Sequence, residues 1–407
     1  MNKSIKSIFL ISTLTYGMTS MAGEVVKVEQ NEVSTIGQMF EEGKVSGNIR
    51  SMYAGYDMKK ENENDIYATA FGGYLKYETE ELNGFSAAAA FATSHDIGFV
   101  TGDKGIKQND ELSSSEGRYT VLSEAYLSYK YDDFNFRAGR QVVDTPLANS
   151  DDIRMIQNTF EAYIATYEAL NFNFMAGKLQ KWQGYDAGLN DGWVKAGEDG
   201  TLFGGITYSS DVLEANAWYY NISKLTNATY LDAKFSYGIN DDLSILGAVQ
   251  YLRENEIDNS GTEASIYGLL AEVSAYGVTL NAAYNKSEKE SGKASFSGFG
   301  GGALFTSMDT MILDEIANDR DARAIVGGIS YEMGDVTLSY AYGDFKGEAD
   351  SLGDKAHIVE QNIGLEYSVI EDKLTLGAIY AIENDRESSV KTENDWNRFQ
   401  VMASYNF

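Results

Sequence analysis

Leu243-Ser244-Ile245-Leu246-Gly247-Ala248-Val249-Gln250-Tyr251 decides the fold. Read with a period of two, Leu243, Ile245, Gly247, Val249 and Tyr251 share one face, while Ser244, Ala248 and Gln250 share the other. Such alternation belongs to a strand with two different environments on its faces. The pattern returns in Val278, Leu280, Ala282 and Tyr284, in Val336, Leu338, Tyr340 and Tyr342, and in Leu374, Leu376, Ala378, Tyr380 and Ile382. Each apolar face tends to end in an aromatic ring, where an interfacial girdle would lie if that face met lipid. No segment after the N-terminus reaches 18 consecutive apolar residues, so helices cannot provide the crossing, and a membrane-spanning chain of this pattern must close into a barrel.

Composition narrows the function classes. The 407 residues include no cysteine, one proline, 40 glycines and 28 tyrosines. Thiol catalysis, disulfides and cysteine-bound zinc are excluded. With 61 acidic against 32 basic residues and a formal charge of −29, a nucleic-acid partner is not expected, because phosphate binding needs a basic surface. Abundant aromatics argue for a folded chain despite the charge. At the N-terminus, Lys3 and Lys6 precede the apolar run Ile8 to Tyr16, and Ser20-Met21-Ala22 offers small residues before Gly23. This reads as a secretory signal over residues 1–22, followed by a periplasmic or lumenal segment 23–44 and a barrel over 45–407. Export also removes ATP-dependent chemistry from consideration.

Eighteen candidate strands begin near residues 45, 66, 85, 119, 134, 160, 171, 201, 212, 228, 243, 263, 278, 322, 335, 358, 374 and 396. Short links at 81–84, 132–133, 240–242 and 371–373 alternate with long ones at about 95–117, 142–159, 183–200 and 286–320. Short turns at one end and long loops at the other describe an all-β, antiparallel outer-membrane barrel. The last strand carries Phe399, Val401, Ala403, Tyr405 and Phe407 on one face, and the terminal Phe407 resembles the signature read by the barrel-assembly machinery.

A wide lumen takes its selectivity from inward side chains and from loops folded into the bore. The Val142–Thr159 loop is the strongest candidate, with Asp144, Pro146, Asp151, Asp152 and Arg154. Charges of both signs there would set a transverse field. Alternation sends Arg50, Lys130, Arg137 and Arg398 inward, since a cation at the lipid midplane costs about 2 to 4 kcal/mol. Arg140 is the exception: strict alternation puts it outward with Phe136 and Ala138.

The residues Gly43 to Arg50 (Gly-Lys-Val-Ser-Gly-Asn-Ile-Arg), Ala138-Gly139-Arg140-Gln141, Asp144-Thr145-Pro146-Leu147 and Ser150 to Arg154, on to Asn158-Thr159-Phe160, resemble the OprD-type outer-membrane porin family and related bacterial major outer-membrane porins. The resemblance implies an 18-stranded barrel, a third extracellular loop narrowing the bore, and inward basic residues guiding small solutes. It places Arg50, Arg140 and Arg154 at matching motif positions, which argues for an inward Arg140. The chain departs from the pattern at Met155-Ile156-Gln157, where family members commonly have a proline.

Other motifs carry less. Gly37 to Lys44 misses a phosphate-binding loop by one residue and by Val45. Gly298, Gly300, Gly301 and Gly302 read as a flexible loop, with a short helix over Met308–Ile316 packed in the bore. The pairs Asp110-Glu111 and Asp151-Asp152 read as solvated loop charge, and no residue set calls for a metal or cofactor. His95 and His357 lack a recognisable catalytic neighbourhood. The expected protein is a porin of the bacterial outer membrane, passing ions and small hydrophilic solutes. Its acidic excess would concentrate cations, and Arg50, Arg137, Arg140 and Arg154 would offer carboxylates a local path. Expected partners are membrane lipid, lipopolysaccharide, the assembly machinery and, by analogy with porins at large, two further copies in a homotrimer. The alternative is an adhesin or structural envelope barrel with a plugged lumen.

Overall fold

The computed structural model describes residues 33–407. The secretory signal assigned to residues 1–22 and the first part of the 23–44 segment lie outside the described residues. Strands run from Lys44–Met58 to Trp396–Asn406, and the first strand pairs with both the second, Ile66–Glu78, and the last. All neighbours are antiparallel, and the single 19-stranded sheet closes on itself. One member, Val194–Lys195, has only two residues and extends the wall beside Phe172–Gln183. The other eighteen strands are the staves of a closed barrel.

Alternation explains the strands. In Leu243–Glu256, Ala248, Gln250 and Leu252 are buried while Val249 and Tyr251 are exposed outward. Around the barrel the outward face exposes Leu231, Val249, Leu269, Leu280, Ile325 and Leu338. Rings such as Phe134, Phe172, Phe235 and Tyr367 flank that band near the short turns, and Tyr219, Tyr251 and Tyr267 flank it near the long loops. In water so much apolar surface would aggregate; in a bilayer it is the lipid-facing band. Asp132, Asn83 and Asp372 take positive φ in the short turns, a backbone region that short polar side chains tolerate. Gly47 and Phe407 exchange two backbone hydrogen bonds of 3.1 Å, so the last residue is tied into the closing seam. Residues 33–43 form a short helix, Ile36–Glu41, at this same end, with Phe40 stacked on Tyr77.

The packed core lies inside the barrel. Leu147 and Ala148 from loop 142–158 join Phe299, Leu304, Phe305, Met308 and Met311 from loop 289–321, and both sets pack on Trp182, Phe203, Tyr220, Tyr230, Leu252 and Phe345 of the inner wall. Part of the lumen is thus filled by an apolar plug. Where loops cover the wall, the inward face is apolar. The helix expected over Met308–Ile316 forms only as Leu313–Ile316, buried within this plug.

Candidate pore constriction

Loop 142–158 enters the bore through a turn at Thr145-Pro146-Leu147-Ala148, closed by Ala148 N–H donating to the Thr145 carbonyl at 3.2 Å. Pro146 sits at the second position, where its fixed φ suits the turn. Asp144 is exposed and accepts from Ser150 N and Oγ at 2.9 and 2.8 Å, so it shapes the loop from outside the constriction. Where the resemblance predicts a proline, Met155 and Ile156 are buried against Met52 and Ala54 of the wall, and this apolar pair anchors the descending limb.

The loop then docks on loop 289–321. Phe299 N–H donates to the Leu147 carbonyl at 2.8 Å and Asn149 N–H to the Phe299 carbonyl at 3.1 Å. Gly300 has φ +106°, and a Cβ there would lie 2.5 Å from the Asn149 carbonyl; a Cβ on Gly301 would lie 2.6 Å from Asp151 Oδ1. The glycine-rich run is therefore a close-packing surface between two loops, which corrects its reading as a flexible stretch.

Beside this plug three arginines converge. Arg50 donates from Nη1 and Nη2 to the two oxygens of Asp152 at 2.5 and 2.6 Å, and from Nη1 to the Arg154 carbonyl at 2.8 Å. Arg398, fully buried, donates to Asp309 Oδ2 at 2.6 Å and Glu111 Oε1 at 3.0 Å, while its guanidinium lies 5.5 Å from the Tyr56 ring centroid. Arg154 lies 3.9 Å from Asp309 and 5.2 Å from the Tyr185 ring centroid, and its Nε and Nη1 have no hydrogen-bond partner among the described residues. Burial and the neighbouring Arg398 oppose its charge, but Glu111 and Asp309 more than offset both and raise its pKa. Burial likewise pushes the Glu111 carboxyl up, and Arg398 and Arg154 outweigh it and hold the pKa below the usual range.

The cluster separates two cavities. One of about 510 Å³ opens toward the long loops, lined by Tyr56, Glu111 and Tyr185; one of about 250 Å³ lies on the other side, lined by Arg50, Asp152, Gln400 and Ser404. Three loops and two strands thus place three cations against three carboxylates between these two cavities.

Of the sequence candidates, Arg50, Asp152, Arg154 and Arg398 meet here, with Asp151 beside them. Glu111 and Asp309 join them without being sequence candidates, because alternation gives loops no direction; Glu111, expected to be solvated, is buried. Arg137 lies apart, 4.4 Å over the Tyr126 ring, with Lys76 at 5.2 Å from the same ring and 3.1 Å from Glu124. Lys130 is exposed near the 132–133 turn. Arg140 does not join the cluster: it stacks on Trp193 at 4.5 Å and lies 3.7 Å from Glu161.

Burial and Asp186 push the Asp151 carboxyl up from 3.8 to about 7. A raised pKa means that the docked loops hold a proton the free side chain would lose. The stabilisation is complete below the free value and disappears as pH rises through about 7. We expect current noise in single channels to increase between about pH 6 and about pH 8, as loops 142–158 and 184–200 loosen, and Asp151→Asn to abolish that change. A noise profile identical in both proteins would contradict it.

A closed barrel with a lipid-facing belt and a charged, loop-narrowed bore is a membrane diffusion channel. Comparison with known proteins gives the family. The profile described as outer membrane porin, OprD family, matches residues 38–407, and the chain belongs to that family. Among solved structures it is similar to OccAB4 of Acinetobacter baumannii, with 16% identity, TM-score 0.77 and coverage of 90% of this chain and 98% of that one. OpdQ of Pseudomonas aeruginosa gives 16%, 0.73, 91% and 99%, and a BenF-like porin from Pseudomonas fluorescens Pf-5 gives 13%, 0.76, 91% and 99%. No curated protein matches. The chain is an outer-membrane porin, and its family and fold are those of channels rather than enzymes.

Proposed function

We propose that this porin passes ions and small hydrophilic solutes passively, and that selection occurs where Arg50, Arg154 and Arg398 face Glu111, Asp152 and Asp309. The observation that carries this reading is the position of that cluster between the two cavities. An acidic group on a solute would meet Arg50, with the buried Arg154 adding its charge from behind, and a basic group would meet Asp152 or Glu111. Because the six charges compensate, neither sign of ion is strongly excluded, and binding stays weak enough for release. Lys76 and Arg137 on Tyr126 supply a further basic step along the inner wall.

The outward Phe407 at the closing seam supports recognition by the barrel-assembly machinery; contact with lipopolysaccharide follows from the membrane setting, and a homotrimer rests on analogy with porins. In planar bilayers the purified folded protein is expected to give discrete conductance steps. Arg154→Gln should assemble normally and lower the anion share of the current. A folded protein that never conducts contradicts the channel reading, and unchanged selectivity removes Arg154 from the selecting group.

A further inference from the structure

On the outside of the barrel, at the long-loop end, one row of the wall carries three cations and a histidine. Lys286 is paired in register with Arg323, Arg323 with Lys346, and Lys346 with His357, on four neighbouring strands. Their side chains point outward, because their chain neighbours face the bore: Asn285 and Ser287 flank Lys286, Ala322 and Ala324 flank Arg323, Phe345 precedes Lys346, and Ile358 follows His357, all buried. Farther down the same outward face the wall becomes apolar, with Ile325 54%, Ile329 45% and Ile363 52% exposed. The row therefore stands at the upper edge of the lipid-facing band.

Like charges directly opposite one another across strands repel, so folding alone disfavours this row. It is unexpected in a chain with 61 acidic and 32 basic residues. Local acids only partly balance it. Asp344 serves both Lys346 at 3.1 Å and His357 at 3.2 Å. Asp321 accepts from the Lys289 backbone at 3.1 Å, and Glu288 stands at the loop edge. Lys286 lies 6.0 Å from the Tyr267 ring centroid, and exposed Arg323 has no ion pair among the described residues.

We propose that this row binds the phosphate groups of a phosphorylated glycolipid in the outer leaflet, with the acyl chains lying along Ile325, Ile329 and Ile363. A guanidinium fork flanked by two ammonium groups suits a phosphate ester, and the apolar surface directly below suits the chains attached to it. The inference rests on the outer-membrane setting and is independent of what the bore passes.

The test is native mass spectrometry of the full folded chain in detergent with bisphosphorylated lipid A. A bound adduct is expected. It should fall about tenfold or more in the Arg323→Gln/Lys346→Gln double variant, as the removal of two cations facing an anionic lipid implies. It should fall similarly when both phosphates are removed from the lipid, an arm that decides the matter on the unaltered protein even if the double variant fails to fold. Neutralising Lys44 and Lys373, at the opposite end, should leave it unchanged. Equal binding of the dephosphorylated lipid would reduce the interaction to acyl chains and overturn the proposal. So would an undiminished adduct in the folded double variant, or displacement of the lipid by inorganic phosphate at equal concentration.

Discussion

Arg398→Ala is expected to shift permeation toward cations and to weaken the barrel more than any other single change at the constriction. Arg398 is fully buried and is the common partner of Glu111 and Asp309, at 3.0 and 2.6 Å. Without it both carboxylates remain in a poorly solvated place with only Arg154 nearby. Removing one partner of a buried ion pair costs about 3–5 kcal/mol, most of it from the uncompensated charge left behind. The cost falls as the carboxylates take up protons or water, and water in the cluster widens the path. Reversal potentials in a salt gradient should therefore move toward cation preference, and the temperature at which the barrel loses its heat-modifiable migration should drop. Arg398→Lys should fall between, because an ammonium keeps the charge but lacks the fork that serves two carboxylates at once. A variant with unaltered selectivity would show that solutes avoid this cluster.

Gly300→Val should separate the two plugging loops and raise open-channel conductance severalfold. Gly300 has φ +106°, which costs a β-branched residue about 1–3 kcal/mol, and its new Cβ would meet the Asn149 carbonyl at 2.5 Å. The Asn158 side-chain amide, at 2.7 Å, crowds the same carbon. What breaks is the backbone bridge from Leu147 and Asn149 to Phe299, which holds loop 142–158 to loop 289–321. Gly353→Ala is a suitable control: φ is +95°, yet nothing lies within 4 Å of the added carbon, so conductance should stay as it was. Equal effects in both variants would assign the change to backbone strain alone.

The barrel was legible in the sequence because its physics is local. Each strand start expected from alternation lies within two residues of the observed one, from Lys44 to Trp396. Alternation also identifies Arg50 and Arg398 as inward, since lipid penalises the other choice. Loops obey no such rule. Glu111 and Asp309 reach the constriction through tertiary contacts of loops 97–117 and 289–321, and nothing in their neighbouring residues announces burial. The apolar inner sector was illegible for a related reason. Tyr220, Leu252 and Phe345 face inward because loops cover them, and period-two reasoning reports a change of environment between faces without saying which side holds water. Arg140 shows the limit of motif matching, since its position in the resembling segment says nothing of Trp193, the partner it stacks on.

If opposed loop carboxylates and arginines at one point govern permeation, removing a charge of either sign there must move ion preference in opposite directions. The zero-current potential of single channels across a potassium chloride gradient reads this for Arg154→Gln and Asp309→Asn. The expected shifts from the unaltered protein are toward cations for the first and toward anions for the second. Shifts of the same sign, or none, would show that permeation is governed elsewhere.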